Sequence, residues 1–128
     1  MSRGLADTSV FIAAETGRAL RAVSLPDEVA VSIITIGELR AGVLAAADVE
    51  TRDRRLKTLM GALELAPIPV DEAVADAWAS LRVLLREHAL RMPVNDSWIA
   101  ATALAHGVAV ATQDSDYVHL AGLEVIRI

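Results

Sequence analysis

Residues Asn95 to Asp114 read NDSWIAATALAHGVAVATQD, and this stretch decides the fold. Asn95 or Asp96 starts a helix, because a short polar side chain ahead of an apolar run accepts hydrogen bonds from the free amides of the first turn. Gly107 ends it, as glycine readily takes the left-handed conformation that closes a helix. Val108-Ala109-Val110-Ala111 is then a buried strand. A helix, a tight turn and a buried strand with an acid just beyond it make part of a βαβ unit. Such units imply a parallel sheet covered by helices on both faces.

The same alternation runs through the rest of the chain. Gly4 to Ala6 is a short apolar lead into Asp7, and helical signals follow in Val10-Phe11-Ile12-Ala13-Ala14, stopping near Gly17. Val29-Ala30-Val31-Ser32-Ile33 is β-branched and reads as a strand. Thr35 opens a helix through about Ala47, and a second runs from about Glu50 to Leu65 with Arg52, Asp53, Arg54, Arg55 and Lys57 on its exposed face. Pro67-Ile68-Pro69-Val70 reads as a short edge strand, since proline cannot serve a central ladder. Asp71 caps a long helix to about Ala89, with Val74, Ala77, Trp78, Leu81, Leu84 and Leu85 at helical spacing. Leu123-Glu124-Val125-Ile126 closes the sheet.

The 128 residues predict one domain spanning 1–128. There are no cysteines, which removes disulfides, zinc thiolates and thiol catalysis. Hydrophobic residues make up 54%, more than one small core needs, so some apolar surface is expected to meet a partner. The net charge of −5 argues against a chain that coats nucleic acid through bulk positive charge. The acid at Asp7 comes too early for a signal peptide, and the longest uncharged stretch, Ser97 to Gln113, is too short and polar to span a bilayer. A cytoplasmic protein is expected.

In parallel sheets ligands bind beyond the carboxyl ends of the strands. Asp7, Glu38, Asp96 and Asp114 all fall there, with Asp116 two residues on. Each has an ordinary role open to it. Asp7 and Asp96 suit helix starts, Thr35-Ile36-Gly37-Glu38 matches a capping box, and Asp114 and Asp116 suit a turn. Together they read otherwise. Several carboxylates brought close need cations, and the only lysine is Lys57. Removing four acids takes the net charge from −5 to −1. Carboxylates without basic partners suit hard ions such as Mg²⁺ or Mn²⁺. His88, His106 and His119 are scattered and read as structural or solvent-facing, and Trp78 and Trp98 read as core.

Four segments carry a family resemblance: Leu5-Ala6-Asp7-Thr8-Ser9-Val10-Phe11-Ile12, Ser32 through Gly42, Asn95 through Ala103, and Ala111-Thr112-Gln113-Asp114-Ser115-Asp116-Tyr117. In order and spacing they resemble the motifs of the PIN domain family, with tyrosine at 117 where phenylalanine is more usual. The chain is most similar to that family's VapC ribonuclease toxins. The resemblance implies a three-layer α/β/α sandwich with a central parallel sheet. It implies a Mg²⁺- or Mn²⁺-dependent endoribonuclease, with Asp7, Glu38, Asp96 and Asp114 as metal-holding, catalytic acids. Asp116 is an alternative for the fourth acid. Thr8, Ser9 and Thr112 would be hydroxyls that orient carboxylates or water. In-line attack would leave a 3′-hydroxyl and a 5′-phosphate. The partners implied are an RNA substrate, a VapB-type antitoxin and a second copy of the chain. Ile36, Leu39, Val43, Leu44, Leu56, Leu59, Met60 and Leu63 would form a groove for a helix of the antitoxin. A non-catalytic interaction domain of PIN-like or receiver-like fold is the alternative. A receiver would need a lysine after its last strands, and a haloacid-dehalogenase phosphatase an Asp where Ser9 stands. A nucleotide-binding domain would need a glycine-rich phosphate loop, and none of the seven glycines forms one.

Overall fold

The computed structural model describes residues 2–21, 24–117 and 122–128, so His119 lies outside the described residues. The elements in chain order are β1 (Arg3–Ala6), α1 (Thr8–Thr16), β2 (Glu28–Ala30), α2 (Ile33–Leu44), α3 (Val49–Leu63), α4 (Glu72–Glu87), α5 (Val94–His106), β3 (Ala109–Thr112) and β4 (Val125–Arg127). The sheet order is β2-β1-β3-β4, and every pairing is parallel. Side chains alternate across it with the two-residue period of a strand. Leu5 stands opposite Val110, and both join Leu81, Leu85, Ile99, Ala100 and Ala103 of α4 and α5 in one core. Ala6 stands opposite Ala111, and these pack with Val10 of α1 on the other face. The result is a three-layer α/β/α fold. Burying a side chain the size of Leu5, Leu81 or Ile99 contributes about 1.5–3 kcal/mol each.

Gly107 ends α5 in the left-handed conformation, at φ 64°, and its amide bonds back to the last turn. A side chain at Gly4 would put its Cβ 2.4 Å from Pro26 Cγ, so glycine lets the approach to β2 cross β1 closely.

Four local expectations change. The second strand stops at Ala30, because Ser32 caps α2 through its Oγ, which accepts from the Ile34 amide at 3.0 Å. Thr35 therefore sits buried inside α2 and is not a cap, which removes the capping-box role for Glu38. Pro67 to Val70 forms no strand. Ile68 alone bridges to the Val31–Ile33 segment, donating to Val31 O and accepting from the Ile33 amide, both at 2.9 Å. The prolines on either side have no amide to extend the ladder. Finally, α5 starts at Val94 after Pro93 with no side-chain cap, and this places Asp96 inside the first turn rather than ahead of it.

The basic face of α3 is occupied by the protein itself. Arg54 pairs with Glu15 at 3.8 Å and Lys57 with Asp53 at 3.1 Å, while Arg55 donates to Gly42 O at 2.7 Å and Arg52 to Ala46 O at 3.4 Å. The α2–α3 apolar set also divides. Ile36, Leu39 and Leu59 are buried between the two helices, whereas Leu44, Leu56, Met60 and Leu63 remain exposed.

Candidate metal centre

The strand order reverses between β1 and β3, the switch point where open parallel sheets leave a crevice at the strand ends. Asp7 directly follows β1, and Asp114 lies two residues past β3. The Asp7 amide donates to Ala111 O at 3.0 Å, which ties the two strand ends together. The first turn of α5 brings in Asp96 from the side. One carboxylate oxygen from each of Asp7, Asp96 and Asp114 lies within 4.8 Å of the other two.

Asp7 is 1% exposed and tightly held. Its Oδ1 accepts from the Ser9 amide at 3.1 Å and the Ser9 hydroxyl at 2.5 Å, and its Oδ2 accepts from Thr112 Oγ1 at 2.8 Å. It caps α1 as well, so its structural role and its place in the cluster coexist. The hydroxyls are themselves fixed. Ser9 Oγ accepts from the Gln113 amide and Thr112 Oγ1 from the Asp114 amide, both at 2.9 Å. Glu38, half-buried, stands outside the group of three. Thr8 Oγ1 donates to its Oε1 at 2.7 Å and lies 3.0 Å from Thr35 Oγ1. Asp116 is exposed and also outside that group.

Crowding shows in the protonation of these acids. Burial raises the Asp7 carboxyl to about 6, against the lowering effect of the Ser9 and Thr112 bonds and with a further push from the Asp114 charge. Burial also raises Asp96, to about 7, assisted by the charges of Asp7, Asp114, Asp116 and Glu38. Among the described residues no Arg, Lys or His pairs with any of these five acids.

Tyr117 belongs to the fourth motif, which assigns it no role, and it is a neighbour of the site. It is 3% exposed, and its hydroxyl is the one buried side-chain polar atom without a hydrogen-bond partner among the described residues. Burial raises its phenol, and the charges of Asp7, Asp96, Glu38 and Asp114 all add to the shift, so the hydroxyl lies within the field of the cluster. The tyrosine in place of the more usual phenylalanine is the signal that points to it.

The donor set is oxygen only, has no cationic partner among the described residues, and holds two carboxyls with raised pKa values. Those are the properties of a site suited to a hard divalent cation. Neither of the two described histidines takes part. His88 and His106 are exposed, and His88 Nδ1 lies 2.9 Å from Leu84 O. Trp78 and Trp98 stack on each other, with ring centroids 4.4 Å apart and planes 4° from parallel.

Fold and site together describe a parallel-sheet domain with an acidic cluster at its switch point, and the sequence comparisons agree. The profile of the PIN domain family matches residues 5–123. The chain is 52% identical over 126 residues to Ribonuclease VapC4 of Mycobacterium tuberculosis, covering 98% of this chain and 97% of that protein. It is 46% identical over 128 residues to Ribonuclease VapC5 of the same organism, covering 98% and 95%. The crystal structure of VapBC-5 from M. tuberculosis, a member of the VapBC family of toxin–antitoxin systems, superposes with a TM-score of 0.92 at 42% identity and full coverage of both chains. FitAcB from Neisseria gonorrhoeae superposes at 0.76 with 31% identity, covering 94% of each. The chain belongs to the PIN domain family, within its VapC group.

Proposed function

We propose that this protein is a Mg²⁺- or Mn²⁺-dependent endoribonuclease, the toxin of a toxin–antitoxin pair, built as one nuclease domain and acting in the cytoplasm. The observation that carries the reading is the convergence of Asp7, Asp96 and Asp114 at the switch point, in a chain 52% identical to a named VapC ribonuclease. Asp7, Asp96 and Asp114 would hold the ion, with Glu38 beside them. A divalent ion supplies Lewis acidity toward a phosphoryl oxygen and lowers the pKa of its water. The chain's own residues do the rest. Ser9 and Thr112 fix both oxygens of Asp7, and Thr8 fixes Glu38, so the anionic edge facing the substrate is preorganised. Burial and the neighbouring charges raise Asp96 to about 7, so it is partly protonated near neutral pH and gives up that proton when a cation enters. Cleavage in line leaves a 3′-hydroxyl and a 5′-phosphate.

The toxin role brings an antitoxin, as in the VapBC systems this fold superposes on. Its site is the groove of about 280 Å³ lined by Ile12, Glu38, Leu39, Gly42, Arg54 and Arg55, and α3 also leaves Leu56, Met60 and Leu63 exposed. An amphipathic helix suits that groove, and a basic side chain from it would reach the acid cluster. A homodimer completes the assembly, and light scattering should read about twice 13.6 kDa.

The test is purified protein on single-stranded RNA with Mg²⁺, with Mn²⁺ and with EDTA. Cleavage with either ion, none in EDTA, and none by a folded Asp7→Asn variant is the expected result. Metal-independent cleavage, or full activity in Asp7→Asn, would refute the proposal.

A further inference from the structure

Among the described residues, six of the twelve cationic side chains find an ion-pair or hydrogen-bond partner, the α3 set among them. Three of the others gather in one place. Arg82 and Arg86 lie one turn apart on the exposed side of α4, and Arg91 stands on the loop that follows. They line an open cleft of about 330 Å³ whose floor is Leu85, Leu90 and Met92. Among the described residues none of the three makes a salt bridge or a side-chain hydrogen bond. Like charges at this spacing cost a helix stability, and a chain with 17 acids has carboxylates to spare for pairing. Arg82 is also held in place, with its guanidinium 5.5 Å from the Trp78 ring centroid and Trp78 itself locked by the Trp98 stack and by donation from its Nε1 to Ser97 Oγ at 3.0 Å.

The cleft lies a short stretch of chain from the acid cluster. Met92 is buried in the same core as Tyr117 and Ile99. The loop runs from Arg91 to the start of α5 at Val94, and the five residues from Arg91 to Asp96 span at most about 18 Å.

We infer that the Arg82–Arg86–Arg91 cleft binds the sugar–phosphate backbone of single-stranded RNA on one side of the bond cut at the acid cluster. This rests on the ribonuclease reading above. Guanidinium forks match phosphate oxygens in two-point geometry. The acid cluster repels a polyanion, so the substrate needs a cationic hold nearby, and this cleft supplies it within reach of the same strand. Leu85, Leu90 and Met92 offer an apolar floor for ribose and base.

The test compares wild type with Arg86→Glu/Arg91→Glu and with the milder Arg86→Gln/Arg91→Gln, all as full chains, leaving the Trp78-packed Arg82 in place. Binding of a short fluorescent single-stranded RNA is measured in EDTA across a salt series, with thermal melting as the fold control. Both pairs should lose at least about tenfold in affinity at low salt. The slope of log affinity against log salt should shrink by about 1.4, the value for two phosphate contacts on a single strand. In Mg²⁺ the variants should raise KM for RNA and leave kcat within about twofold. Wild-type affinity and slope in both folded variants would overturn the proposal. So would retained RNA binding with lost capture of the antitoxin, which would make the cleft a protein interface. Wild type that cleaves no RNA overturns the ribonuclease reading itself, whereas wild type and variants that cleave and bind alike overturn the cleft alone.

Discussion

Thr112 Oγ1 donates to Asp7 Oδ2 at 2.8 Å across 105 positions of sequence, and Thr112 Oγ1 itself accepts from the Asp114 amide. One buried side chain at the end of β3 thus orients the acid after β1 and positions the backbone of the acid after itself. Thr112→Val keeps the shape and removes both bonds. A buried acceptor left unpaired costs about 1–3 kcal/mol, so the melting temperature should fall. Loss of a residue that orients a metal-holding carboxylate typically costs 10–100-fold in metal affinity or activity. Titration of Mn²⁺ followed by heat or fluorescence, together with RNA cleavage, checks both.

The raised carboxyls set a pH dependence opposite to that of paired surface acids. Asp7 sits at about 6 and Asp96 at about 7 in the folded protein, against an ordinary value of 3.8. The folded state therefore binds more protons than the unfolded state between about pH 4 and pH 7, and stability falls as pH rises through that window. For the buried Asp7 alone the loss is on the order of 3 kcal/mol. Metal-free protein should melt at a higher temperature at pH 5 than at pH 8. Mg²⁺ or Mn²⁺ should raise the melting temperature more at pH 8, where the carboxylates are charged. A flat or rising profile in EDTA contradicts the assignment, and Asp96→Asn should flatten part of the slope.

The pair Asp114 and Asp116 divides by position. Asp114 reaches Asp7 and Asp96, whereas Asp116 is exposed and acts on Asp96 through charge only. Asp114→Asn should reduce RNA cleavage at least about tenfold more than Asp116→Asn does. The reverse order in kcat, measured on folded proteins, would move the fourth acid to 116.

Tyr117 carries a buried hydroxyl with no partner among the described residues. Phenylalanine fills the same space without that polar atom. Tyr117→Phe should stabilise the metal-free protein by about 1–3 kcal/mol, a rise of several degrees in melting temperature in EDTA. An unchanged or lower melting point means that the hydroxyl is satisfied in solution.

Much of the fold is local, and local chemistry is written in the sequence. The apolar run before Gly107, the strand at Val108–Ala111, and the acids placed just after strands depend on propensity, turn residues and period, all of which act over a few positions. The errors lie where a neighbour from elsewhere decides. Pro67 to Val70 has strand composition, but ladder rungs need amides that its prolines lack. Ser32 rather than Thr35 caps α2, because Thr35 is claimed by the core beside Thr8. At the site, residue type alone marked Asp7, Glu38, Asp96 and Asp114 as acids at strand ends and helix starts. Which oxygens meet was settled by the parallel pairing of β1 with β3, which brings Asp7 to Asp114 and leaves Glu38 one step aside on Thr8. The Tyr117 hydroxyl, unpartnered among the described residues, and the gathering of Arg82, Arg86 and Arg91 around one cleft have no periodic signature. They exist only once α4, α5 and the sheet have packed, because packing sets which side chains find partners and which are left facing a ligand.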